Sequence, residues 1–179
     1  AIGTELRYAA DGKNVFSLVD YDVSYGVLNV AMLTGSWVTE SKTFTFLADH
    51  RRTPYLQTTN ALFGTPNASL SLLNSANESI LRAQAKTVTA TSDLFLVGML
   101  HAVSKDWQVG GDVRLNRISG TSASNCLIIL PGTNTLFINP NAQNDAFCSL
   151  QALPGTGNIW TVSGQVIGTD FPFEKNTMV

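Results

Sequence analysis

The stretch Trp107-Gln108-Val109-Gly110-Gly111-Asp112-Val113-Arg114-Leu115-Asn116-Arg117-Ile118 decides the fold. In an extended chain Trp107, Val109, Gly111, Val113 and Leu115 share one side. Gln108, Gly110, Asp112, Arg114 and Asn116 share the other. Period-two alternation of this kind is the signature of a β-strand with one oily face. Residues 158–169 repeat it, with Trp160, Val162, Gly164 and Val166 opposite Thr161, Ser163 and Gln165. In 42–51, Phe44, Phe46 and Ala48 oppose Thr43, Thr45, Asp49 and Arg51. In 14–24, Val15, Val19, Tyr21 and Val23 oppose Asn14, Asp20 and Asp22, although Phe16 and Leu18 blur the polar side. Residues 27–38 and 87–103 are strand-like and more apolar throughout.

With 2–9 and a segment starting near Asn176, the pattern predicts about eight strands. The connections sort by length. Ala10-Asp11-Gly12-Lys13, Glu40-Ser41-Lys42 and Ser104-Lys105-Asp106 are tight hairpin turns, and 172–176 is a slightly longer one. Between them fall Tyr25-Gly26 and two long loops, 52–86 and 120–157. An antiparallel meander changes ends at every connection, so all the short turns fall on one end and both long loops on the other. Outer-membrane barrels are organised in this way. The fold class expected is therefore all-β, an antiparallel meander forming all or part of a transmembrane β-barrel in one domain, 1–179. The first long loop is expected to carry a short helix, with Leu70, Leu72, Leu73, Ile80, Leu81 and Ala85 near helical spacing and Ser69 or Ser71 as a cap. The second, with Pro131-Gly132, Asn139-Pro140-Asn141 and Pro154-Gly155, reads as irregular.

Composition points the same way. Hydrophobic residues make up 44% of the 179 and charged residues 13%, few for covering a soluble domain of this size. No run approaches the ~20 apolar residues a spanning helix requires. High apolarity without such a helix leaves a well-covered β-protein or a membrane barrel. The net charge of −2 and the lack of a basic cluster beyond Arg51-Arg52 argue against nucleic-acid binding. The first residues lack the positive start and apolar core of a signal peptide, so an exported chain would be mature or excerpted. Eight full strands can close a minimal barrel. The last candidate has four residues and the first is short, so the expectation is a fragment of a larger barrel or one completed by another chain.

The run Asp49-His50-Arg51-Arg52-Thr53-Pro54-Tyr55-Leu56-Gln57-Thr58-Thr59-Asn60-Ala61-Leu62 is distinctive. Thr89-Ala90-Thr91-Ser92, Gly111-Asp112-Val113, Ser119-Gly120-Thr121-Ser122-Ala123-Ser124, Pro154-Gly155-Thr156-Gly157 and Gly164-Gln165-Val166-Ile167-Gly168-Thr169 follow it in order. Over roughly residues 14–170 this series resembles the C-terminal barrel region of large Gram-negative outer-membrane proteins whose N-terminal part is built of tetratricopeptide repeats. The resemblance implies a barrel anchored in the outer membrane beside a periplasmic solenoid that binds partners. This chain has no such solenoid, and 125–153 looks like an insertion. The resemblance implies no catalytic motif.

Candidate residues follow from the strand reading. Asp20, Asp22, Asp112, Arg114 and Arg117 are polar candidates for the interior. Arg51 and Arg52 are candidates for contact with lipopolysaccharide phosphates at the rim. Trp37, Trp107, Trp160, Tyr21 and Tyr25 suit the interfacial girdles. Cys126 and Cys148 are candidates for a disulfide in an oxidising compartment; no residues have metal-ligand spacing. Asp49 and His50 could support general-base chemistry, but adjacent strand residues point to opposite faces. His101 shares a face with Phe95, Val97 and Met99, and nothing in the sequence marks a nucleophile for it. No catalytic residue, metal or cofactor is expected. The function expected is membrane anchor or porin-like export channel, with outer-membrane lipid and completing strands as partners. A secreted adhesive or pilus-like β-domain and an outer-membrane hydrolase are the alternatives.

Overall fold

The computed structural model describes residues 1–52, 78–121, 127–129, 136–138, 153–168, 170–171 and 174–175. Its strands are β1 (Ile2–Ala10), β2 (Lys13–Asp22), β3 (Val27–Val38), β4 (Lys42–Arg51), β5 (Ser92–Ala102), β6 (Trp107–Ile118), β7 (Leu127–Ile129), β8 (Leu136–Ile138), β9 (Gly157–Gly168), β10 (Asp170–Phe171) and β11 (Glu174–Lys175). One helix, α1 (Glu78–Thr87), lies between β4 and β5. Among the described residues, seven strands form one sheet in the order β1-β2-β3-β4-β5-β6-β9, and two ribbons, β7-β8 and β10-β11, stand apart. Every neighbouring pair in the large sheet is antiparallel, so the sheet is a meander. It is not closed: β1 and β9 are both edges.

The short turns form as their residues dictate. Asp11 (φ 50°) and Gly12 (φ 71°) both occupy left-handed conformations, the two-residue turn whose twist matches that of the flanking strands. A Cβ on Gly12 would lie 2.6 Å from the Val38 carbonyl oxygen, so the position demands glycine sterically as well. Thr39 closes the next turn, its backbone N–H donating to the Lys42 carbonyl (2.8 Å) and its hydroxyl accepting from the Lys42 N–H (3.1 Å). At the third, the Val103 N–H donates to the Trp107 carbonyl at 2.9 Å. These three turns share one end of the sheet; the connections 23–26, 52–91 and 119–156 share the other. The parity expected from the sequence holds for the six connections of the seven-stranded sheet.

Three expectations change and three more fall outside the described residues. The strand expected from Thr87 begins at Ser92, because α1 runs through Thr87 and ends with the Thr87 hydroxyl donating to the Ala83 carbonyl (3.0 Å). The second long loop is not wholly irregular, since β7 and β8 pair within it. Around the 172–176 turn only the two residue pairs of β10 and β11 form. The proposed strand from Asn176, the first half of the expected helix and Cys126 and Cys148 lie outside the described residues.

Helix α1 caps the long-loop end of the sheet. Leu81 and Ala85 are buried on it, and with Val27 they are the buried apolar side chains among the described residues. Arg82 ties the helix to the β2–β3 connection, donating to the Ser24 carbonyl (2.9 Å) and pairing with Glu78 at i,i−4 (2.5 Å). Arg52 donates to the Lys86 carbonyl (3.1 Å). Asn29 is an extra residue on β3, where the register slips between Asp20 and Tyr21; its amide donates to the Asp20 carboxylate (3.3 Å). A bulge here bends the strand under the helix.

Candidate functional site

Directly opposed residues lie on the same side of a sheet, so the strand registers sort every side chain. One face is apolar across all seven strands. A single row reads Leu6, Ser17, Leu33, Ala48, Phe95, Leu115, Trp160, and the next reads Tyr8, Val15, Gly35, Phe46, Val97, Val113, Val162. No second layer covers these residues among those described: Leu6 is 63% exposed, Val97 65% and Val162 76%. Val109, Val113 and Val166 are exposed too, so no sandwich core encloses them. Phe46 lies over Gly35, whose missing Cβ would meet the ring at 2.6 Å.

The apolar face has polar limits. Toward the long loops, one row places His50, Asp93, Arg117 and Asn158 side by side. The His50 Nδ1 and the Asp93 carboxylate are 2.6 Å apart. Toward the short turns, Lys42 faces His101, whose Nδ1 lies 3.0 Å from the Ser41 carbonyl. On β4 and β5 the limits are eight positions apart, 42 to 50 and 93 to 101. At ~3.4 Å per residue that is about 27 Å along the strand. The band also drifts across the sheet. Level with Lys42 and His101, β6 and β9 carry Val109 and Val166, while β1 and β2 extend apolar character upward to Ile2 and Tyr21. A band crossing the hydrogen-bonded rows obliquely is what tilted strands produce.

The opposite face is concave and mixed. A cavity of about 810 Å³ opens on it, lined in part by Arg7, Asn14, Phe16, Thr34, Thr45 and Leu96. Asp20, Asp112 and Arg114 share this face, and Asp22 follows in register. Asp22, however, caps the β2–β3 connection, accepting from the Ser24 (2.8 Å) and Tyr25 (3.1 Å) N–H groups. Asp112 accepts from the Ser163 hydroxyl across β6 and β9. Arg7 pairs with Glu5 and covers the Phe16 ring at 5.4 Å. Arg114 has no ion-pair partner among the described residues.

Arg51 belongs to the concave face, where it pairs with Asp49 at 2.8 Å, and Arg52 is held against the helix. Arg117, expected in the interior, lies instead at the long-loop limit of the apolar face, where it has no ion-pair partner among the described residues. Asp49 and His50 do point to opposite faces. The partner of His50 is Asp93, a pairing hidden in the sequence because 40 residues separate β4 from β5. Acid and imidazole form the orienter and base of a triad; their row neighbours are Ala31, Arg117 and Asn158. A groove of about 260 Å³ beside His50 is lined by Ala31, Leu33, Ala48 and Phe95. Tyr25 packs under the Arg82 guanidinium (5.9 Å) rather than on the apolar face. Burial pushes its phenol pKa up, with Arg82 opposing and Asp22 and Glu78 adding to the rise.

No helix among the described residues is long and apolar enough to cross a membrane, which does not bear on crossing by strands. The chain matches no protein-family model, no curated protein and no solved structure.

Proposed function

We propose that the chain forms part of the wall of an outer-membrane β-barrel and serves as a membrane anchor. The observation that carries this reading is the uncovered apolar face, which runs over seven strands and is bounded on β4 and β5 by charged or imidazole side chains at both ends. In water such a face is an aggregation surface. In a bilayer it is the lipid-facing band of a barrel, ~25 Å tall with strands tilted by ~35–45°. A span of about 27 Å along the strand gives ~20 Å of height at that tilt. Trp160 and Tyr21 toward the long loops, and Trp37 and Trp107 toward the short turns, stand where interfacial girdles stand. The resemblance of the ordered motifs to the barrel region of tetratricopeptide-repeat outer-membrane proteins would fit the same compartment.

Anchor is favoured over channel because the concave face pairs Arg7 with Glu5 and Arg51 with Asp49 and also carries Phe16, Leu18, Leu47 and Leu96. Small barrels fill their interiors in this way. At the rim, Arg117 rather than Arg51 or Arg52 is placed to meet lipid phosphates. The test is solubility followed by conductance. The protein is expected to stay monodisperse only in detergent and to give no stable channels in a planar bilayer. Monodispersity in plain buffer would point instead to a secreted β-domain completed by a partner. Steady conductance steps would make the chain a passage.

A further inference from the structure

The two edges of the sheet carry information about what completes it. Neighbouring strands are antiparallel throughout, so direction alternates, and the first and seventh strands, β1 and β9, run the same way. Pairing β1 directly with β9 would make a parallel junction. A ring of copies inserted in one orientation meets the same obstacle, because every exposed edge then points in the same direction. Leaving the edges open is worse, at several kcal/mol for each backbone group unsatisfied in hydrocarbon.

We infer that an odd number of further spanning strands fits between these edges, those next to β1 and β9 running opposite to them, and makes the barrel antiparallel throughout. The inference rests on the membrane reading above. Bacterial single-chain barrels have even strand totals, and seven plus an odd number is even. The partner strand is specified chemically by β9. It is ~9–11 residues long, with uncharged apolar residues beside Trp160, Val162, Gly164 and Val166. Polar or small residues lie beside Thr161, Ser163 and Gln165, since its alternation must match that of β9. A second copy of this sheet cannot offer such an edge in the same membrane orientation.

The test uses the protein assembled in the outer membrane of an expressing bacterium, with Cys126 and Cys148 changed to serine. Leu6→Cys is combined in turn with Trp160→Cys, Val162→Cys, Gly164→Cys and Val166→Cys. The pair Val113→Cys with Val162→Cys, opposed across β6 and β9, is the control. The control is expected to oxidise to a disulfide and every Leu6 pair to remain reduced. One intervening strand already separates the edges by ~9–10 Å, beyond the ~7 Å that a disulfide tolerates. Benzophenone side chains at Ile159 and Gln165 are expected to cross-link to a strand whose contact points run in the reverse order. A disulfide in any Leu6 pair, or contacts in the same order, overturns the inference and leaves the membrane reading standing. That reading fails separately if a label at Val162 is not in contact with lipid.

Discussion

Gly12 shows how a single backbone position fixes the register of a hairpin. Its φ of 71° and the Val38 carbonyl 2.6 Å from any Cβ leave room for glycine alone. Gly12→Ala is expected to cost about 1–2 kcal/mol, read as a lower urea midpoint with an unchanged slope. Tyr25 gives a pH signature. Burial holds its folded-state pKa above the ordinary 10.0, so between the unfolded and folded values only the unfolded chain loses the proton. The stabilisation is complete below the unfolded pKa and is lost as pH rises through the folded one. Wild-type stability should therefore fall from pH 9 to 11 more steeply than that of Tyr25→Phe. Equal slopes would remove burial of the phenol as a cause. The site at this scale was only partly legible in the sequence. Alternation was enough to divide Asp49 from His50, but it could not reveal that His50 faces Asp93 or that Arg51 turns back to Asp49.

At the scale of elements, the strands and short turns were legible because each carries its own local signal: a two-residue period, or an Asp-Gly pair. The helix boundary was not, because Thr87–Ala90 suits either a strand start or a helix end, and the Thr87 hydroxyl on the Ala83 carbonyl and the Val88 N–H on the Gln84 carbonyl carry the helix through it. Leu81→Ala should lower stability by ~2–3 kcal/mol and loosen the long-loop end, seen as faster amide exchange at Asn29 and Arg52 while β6 and β9 stay protected. The two faces of β9 make a sharper comparison. Val162→Lys puts a charge in the centre of the apolar band and is expected to cost ~2–4 kcal/mol in a bilayer, while Thr161→Lys, facing the concavity, costs under ~1 kcal/mol. Urea unfolding from vesicles measures both, and equal costs would mean that the faces do not differ in solvent.

For the whole molecule, what the sequence conveyed was parity: which connections of the sheet share an end. Closure was not legible, since it depends on strands from outside the seven-stranded sheet and on their direction. Physically, a single uncovered sheet of this apolarity must find either hydrocarbon or a second protein layer, and the drift of the apolar band across the strands fits hydrocarbon. The most direct test is a nitroxide scan of β9 from Ile159 to Val166 in vesicles, comparing accessibility to oxygen, which partitions into lipid, with accessibility to a water-soluble nickel complex. Oxygen accessibility is predicted to peak at 160, 162, 164 and 166 and to fall at 159, 161, 163 and 165. Peaks for the nickel complex at the even positions, or no alternation, would contradict the account.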